Sequence, residues 1–307
     1  MRRLPVLATF ALAGALSLTA CTNAVSEGAG GNGGTGAATA AAPSYDVSKI
    51  SKVDDIAAKL PADFDGTLTV GANLQYAPAE FFGGADGQTP TGYDVDLANA
   101  LGRVLGAKVE VAHAEFASII PGIGTQYDAG ISSFSINPER VAEVDMISYI
   151  SAGSTYSVQA GNPKGLDAAD LCGTTMGVQT GTVQDEVADQ LSADCQAKGA
   201  KPIEVLRYNS QADVTTNLVG GKIDVMYADS QVGQYAQVQT QGKVEQLGEV
   251  TDTAPQGIVV DKDDPELTAA LQAAMQHLMD EGVWQDILST WGVSGALGTA
   301  ELNPAAS

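Results

Sequence analysis

Gly92-Tyr93-Asp94-Val95-Asp96-Leu97-Ala98-Asn99-Ala100-Leu101-Gly102-Arg103-Val104-Leu105 decides the fold of this chain of 307 residues. Leu97, Leu101, Val104 and Leu105 stand at i, i+4, i+7 and i+8, which is one face of a helix. Gly92 supplies the turn into that helix. Asp94 and Asp96 fall near its positive N-terminal end, where carboxylates are expected as caps. On either side the period changes to two: Thr67-Leu68-Thr69-Val70 and Lys108-Val109-Glu110-Val111 read as strands. The alternation continues, with further strands predicted at 128–131, 176–178, 203–206 and 223–227, and a loop through Asn137-Pro138. Helices are predicted from Val183 through Val187 and Leu191, and over 210–220. Two more run from Asp264-Pro265 to Gly282 and from Trp284 to Gly292. Strands alternating with helices give α/β units with mostly parallel sheets, and about 240 residues of them is long for one small sheet. Two α/β lobes are therefore expected.

Lys and Arg total 15 against 37 Asp and Glu, a formal net charge of −22. That balance excludes a nucleic-acid partner, because phosphate contacts need a basic surface, and it excludes docking on anionic lipid through basic side chains. Hydrophobic residues make up 44%, enough for a core, so the chain is not disordered throughout. His113 and His277 are the only histidines, which leaves few parts for a His-rich metal site. No P-loop, GxSxG, HExxH or CxxC occurs. No catalytic residue, cofactor or metal is expected.

Met1-Arg2-Arg3 followed by the apolar run 4–20 reads as a secretory signal over residues 1–20. Its end, Leu18-Thr19-Ala20-Cys21, resembles the lipobox of bacterial lipoproteins, which implies cleavage before Cys21 and a lipid on its thiol. An uncleaved anchor is the alternative, since the apolar run nearly spans a bilayer. Gly, Ala, Ser and Thr dominate residues 22–44 and offer too little large apolar surface to fold, so 21–44 reads as a lipidated cysteine and a flexible tether. The folded part then lies outside the cell membrane, where disulfides form. Cys172 and Cys195 are the pair left once Cys21 is lipidated. Their disulfide would close a loop of about two dozen residues, contributing roughly 3 kcal/mol; two buried thiols are the alternative.

The stretch beginning Gly92-Tyr93-Asp94-Val95-Asp96-Leu97 also matches the signature of a family. It resembles the family 3 extracellular solute-binding proteins, the polar amino-acid receptors of bacterial ABC importers. Segments 70–81, 115–121, 133–140, 177–182 and 224–229, and Trp291-Gly292, follow in the family's order, so the resemblance covers about 64–293. It implies a two-lobe, periplasmic-binding-protein-like (type II) fold, each lobe a sheet flanked by helices. Lobe 1 would combine 64–150 with 256–303 and lobe 2 would be 151–255, with a hinge where the chain crosses near 151–155 and 251–255.

The same resemblance implies the ligand residues, and a zwitterion's chemistry explains their types. Arg140 offers a planar fork for the carboxylate. Ser135 adds a hydroxyl and an N–H, and Ser133 a carbonyl toward the ammonium. Thr182 opens a helix with a free N–H, and Asp229 pairs with the ammonium. Tyr76 and Phe116 sandwich the side chain. Asn73 stands where several relatives carry an aspartate, which favours an uncharged polar ligand such as glutamine over a cationic one; Arg207 is the only candidate second cation for an acidic ligand. The implied role is a lipid-anchored receptor on the extracellular face of the bacterial cell membrane, handing a polar amino acid to an ABC permease. A sensor without transport and a dehydratase-like enzyme on the same fold are the alternatives.

Overall fold

The structure, a computed structural model, describes residues 42–84 and 86–305. The predicted signal, Cys21 and most of the tether lie outside these residues. In chain order the helices are α1 (Asp54–Ala57), α2 (Tyr93–Leu105), α3 (Phe116–Gly122), α4 (Pro138–Glu143), α5 (Val183–Ala197), α6 (Gln211–Val219), α7 (Ser230–Gln239), α8 (Pro265–Asp280) and α9 (Val283–Thr290). The strands are β1 (Thr67–Ala72), β2 (Gln75–Tyr76), β3 (Glu80–Gly83), β4 (Thr89–Thr91), β5 (Lys108–His113), β6 (Ala129–Ser135), β7 (Asp145–Gln159), β8 (Thr175–Gln179), β9 (Glu204–Tyr208), β10 (Val225–Asp229) and β11 (Val244–Val260).

Helix α2 buries Leu97, Leu101, Val104 and Leu105, the face read from the sequence, and stops at Gly106 in the left-handed conformation (φ 70°). Its entry needs glycine: Gly92 has φ 131°, and a Cβ there would stand 2.0 Å from the Ala79 carbonyl oxygen. The two acids of its first turn are not caps. Asp94 accepts from the Ser133 N–H and the Tyr149 hydroxyl, and Asp96 from Trp291 Nε1 and the Tyr45 N–H. Both carboxylates point into the fold, where donors from distant segments reach them first.

The main sheet has the order β5-β1-β6-β11-β7-β10-β8-β9. Strand β1 is parallel to β5 and β6, and β8 is parallel to β9 and β10, so each half keeps the expected parallel α/β units. The fold is two-lobed, but the two expected sheets are joined into one ladder. The cause is β7 and β11, 15 and 17 residues long, which pair antiparallel from Asp145↔Val260 to Gln159↔Val244 and run unbroken through both halves. The crossings near 151–155 and 251–255 lie inside this ribbon, at Ser151↔Pro255 and Ser154↔Thr251, and the register is irregular between them.

Leu68, Leu97, Leu101, Leu271 and Trp284 belong to the larger core; Val158, Met176, Val178, Val225 and Tyr227 form a smaller one in the second half. Cys172 and Cys195 are bonded beside that smaller core, with Cα atoms 5.6 Å apart. Residues 295–303 lie as a strap along the first part of β7. Ser151 N–H donates to Gly295 O (2.8 Å), Ser148 N–H to Glu301 O (2.9 Å) and Met146 N–H to Asn303 Oδ1 (2.8 Å).

The loop read at Asn137-Pro138 is the start of α4, capped by the Asn137 side chain on the Arg140 N–H (2.8 Å) with proline in the first turn. Six residues are too few to show a helical period. Among the described residues no helix is long and apolar enough to cross a membrane.

Candidate functional site

Where the C-terminal ends of β6 and β10 approach α5, a small cavity of about 10 Å³ is lined by residues from both halves of the sheet. Tyr76, Phe116, Ser133, Ser135, Arg140, Thr182 and Asp229 all line it. Seven of the eight residues read from the sequence are therefore brought together. Asn73 is not among the lining side chains. It is buried beside the cavity, donating from Nδ2 to Ala114 O (2.8 Å) and accepting at Oδ1 from Gln179 Nε2 (3.2 Å).

Arg140 reaches the cavity because α4 is pinned by its Asn137 cap. Its guanidinium is buried and makes no ion pair with a described residue. Nη1 donates to Ser135 O (2.8 Å) and Nη2 to Gly181 O (3.0 Å), the second bond crossing to the other half. The rings of Phe116 and Phe134 lie 5.5 and 5.7 Å from the guanidinium carbon and stack on each other. Burial lowers the Arg140 pKa. Ser135 holds Arg140 through its carbonyl.

Asp229 ends β10 on the opposite wall, and burial raises its pKa. Gln184 Nε2 donates to Oδ1 and Gln256 Nε2 to Oδ2, both at 2.8 Å. Both oxygens are therefore held by neutral donors, and the carboxylate has no ion pair with a described residue. Thr182 is the N-cap of α5: its Oγ1 accepts from the Asp185 N–H (3.2 Å) and donates to Gln179 O (2.8 Å). Its own N–H, expected free, lies 3.4 Å from Gln179 O and closes a turn. Ser133 adopts φ 52°, with its hydroxyl turned to Asp94 and Tyr93. Arg207 pairs with Asp185 and Asp189 at 2.7 and 2.6 Å, so its charge is already matched.

Sequence reasoning missed Gln184 and Gln256, which orient Asp229, and Ser132, whose hydroxyl meets Glu80. One signal was present: Gln184 sits in the capping segment read at Thr182, two residues past the cap, and is buried. Gln256 lies in a long strand that was read only as a crossing. Chemically, the cavity is lined by one unpaired cation and one unpaired anion, among the described residues, together with the rings of Tyr76 and Phe116. That arrangement suits a small zwitterion.

Residues 68–294 match the family model of bacterial extracellular solute-binding proteins, family 3. The arginine-binding protein ArgT of Corynebacterium glutamicum is 35% identical over 258 residues, covering 82% of this chain and 83% of that protein. Among solved structures, an ancestral arginine-binding protein bound to arginine superposes with a TM-score of 0.67 at 28% identity, covering 74% of this chain and 98% of the other. An ancestral amino-acid-binding protein described as a precursor of cyclohexadienyl dehydratase gives 0.66 at 28% identity, covering 74% and 95%.

Proposed function

The chain belongs to the bacterial extracellular solute-binding proteins, family 3, and from that premise we propose that it captures a polar amino acid in the cavity between Arg140 and Asp229 and delivers it to an ABC importer. The observation that carries this reading is the pair of unmatched opposite charges lining one small cavity. The ligand carboxylate lies on Arg140, its ammonium on Asp229, and its side chain between Tyr76 and Phe116. Closure works as a population shift: a ligand touching both walls favours the state in which they meet. The hinge is the β7–β11 ribbon at 151–155 and 251–255, between a lobe of 64–150 with 256–303 and a lobe of 151–255.

Arginine is the ligand suggested by the names of the relatives. Asn73 favours an uncharged side chain such as glutamine, because it and its partner Gln179 put no carboxylate beside the cavity. Cleavage before Cys21 and lipidation of its thiol would hold the receptor on the extracellular face of the cell membrane. We read the protein as a binder and not an enzyme: the two carboxylate oxygens of Asp229 are engaged by amides, and neither histidine lines the cavity.

The test is calorimetric titration of the protein with the twenty amino acids, alongside Arg140→Ala. Binding of arginine, glutamine or another polar amino acid, lost in the variant, supports the reading and names the ligand. Heat from none of the twenty would overturn it.

A further inference from the structure

Directly beneath the cavity, Glu80 at the start of β3 and Asp94 in the first turn of α2 face each other, within hydrogen-bonding distance, at 0% and 1% exposure. Asp94 Oδ2 accepts from the Ser133 N–H (2.9 Å), the Ser133 hydroxyl (3.2 Å) and the Tyr149 hydroxyl (3.0 Å). Glu80 Oε1 has one donor, the Ser132 hydroxyl. The remaining oxygens, Asp94 Oδ1 and Glu80 Oε2, are both buried with no partner. Two ionised carboxylates would leave both lone oxygens facing a like charge in the interior, which is strongly unfavourable. A single hydrogen between them satisfies both.

We propose that Glu80 and Asp94 share one proton, carried by Glu80 and donated to Asp94, and that this acid–carboxylate pair is the positioning unit for Ser132 and Ser133 on the cavity floor. Donor count assigns the proton: three hydrogen bonds stabilise charge on Asp94 and one on Glu80. Ser133 needs such support, because its φ of 52° is a backbone conformation that residues other than glycine rarely hold. Ser132 is tied in by a second route, its Oγ accepting the Asn73 N–H at 3.1 Å. The consequence for binding rests on the function proposed above; the shared proton does not.

Burial raises the Glu80 pKa well above its ordinary value of 4.5 and carries Asp94 to about 7. The other ionisable groups facing the pair are Tyr93, Tyr149 and Asp229, and the two phenols are also pushed up by burial. A carboxyl raised on folding holds its proton longer in the folded chain. Its stabilising contribution is therefore complete below about pH 4.5 and is lost as pH climbs toward the folded value.

The test uses the ligand-free full chain, so its outcome is independent of whether any amino acid binds. Infrared difference spectra of wild type minus Glu80→Gln near neutral pH should contain the carbonyl stretch of a protonated carboxyl group. The side-chain amide introduced by that substitution would donate permanently where the proton had been. Absence of that band overturns the proposal. Should the variant fold poorly, wild type grown on carboxyl-¹³C glutamate must shift the same band, and an unshifted band overturns it equally. The melting temperature of wild type relative to Glu80→Gln should fall as pH rises above about 4.5, and a constant offset would sink the idea. Where ligand binds, the wild-type affinity relative to the variant should hold constant while folded Glu80 keeps its proton and drop only above its folded pKa, by up to about tenfold per pH unit.

Discussion

Asp229 and Asp94 are buried carboxylates on opposite halves of the sheet, both close to one cavity, yet their surroundings differ in kind. Each oxygen of Asp229 meets a neutral amide, from Gln184 and Gln256, Tyr76 adds a hydroxyl, and Arg140 lines the same small cavity. Asp94 collects three donors on one oxygen and turns the other toward Glu80. Burial alone therefore does not mark a binding acid. On the readings proposed above, a carboxylate facing a cavity and an opposite charge serves a ligand cation, and one facing a second acid serves a proton and holds backbone in place.

Substitutions should separate the two roles, beginning with the strongest. Arg140→Ala removes the cation opposite Asp229 and should weaken amino-acid binding by about 2–5 kcal/mol, roughly thirtyfold to a few thousandfold by titration calorimetry. Asp94→Ala removes the carboxylate that takes three buried hydrogen bonds and should cost about 3 kcal/mol or more in urea unfolding. Unchanged stability there would break the comparison. Asp229→Asn should show the reverse pattern: affinity down by about 2 kcal/mol, roughly thirtyfold, with stability unchanged or higher. The sign follows from its raised pKa, because a buried charge that disfavours the folded state is removed. The smallest effect is expected at the margin of the site, where Asn73→Asp should move the preference for arginine over glutamine by about tenfold, about 1.4 kcal/mol, in competition titrations.

The helices were legible because α2 and α8 each bury an apolar face in sequence-local spacing, and α5 sets Val187 and Leu191 at the same spacing against the smaller core. Strands β7 and β11 were not, since a strand that passes from one half to the other changes environment along its length; β11 runs from buried Val244 through exposed 249–252 to buried Val260. The site was legible where residue type suffices: among the described residues, Arg140 and Asp229 are the only charged ones lining the cavity. The role of Asp94 was not. Its donors come from Ser133 and Tyr149, 39 and 55 residues away, and from its own segment alone it looks like a cap. Arg207 had the right charge, and two acids on its neighbouring helix α5 claim it.

The strap 295–303 has a mechanical consequence. It clamps β7 at Met146, Ser148 and Ser151, and the last clamp falls at the residue where the crossing begins. A Cβ at Gly295 would strike the Ser151 carbonyl oxygen at 2.3 Å, so the final contact is backbone against backbone with no side chain to yield. Beyond Ser151 that bracing ends, and the ribbon reaches its irregular register around Ser154. If the two halves close on one another as proposed, the strap would set the fulcrum: the ribbon would bend after Ser151 and the strand before it would stay straight.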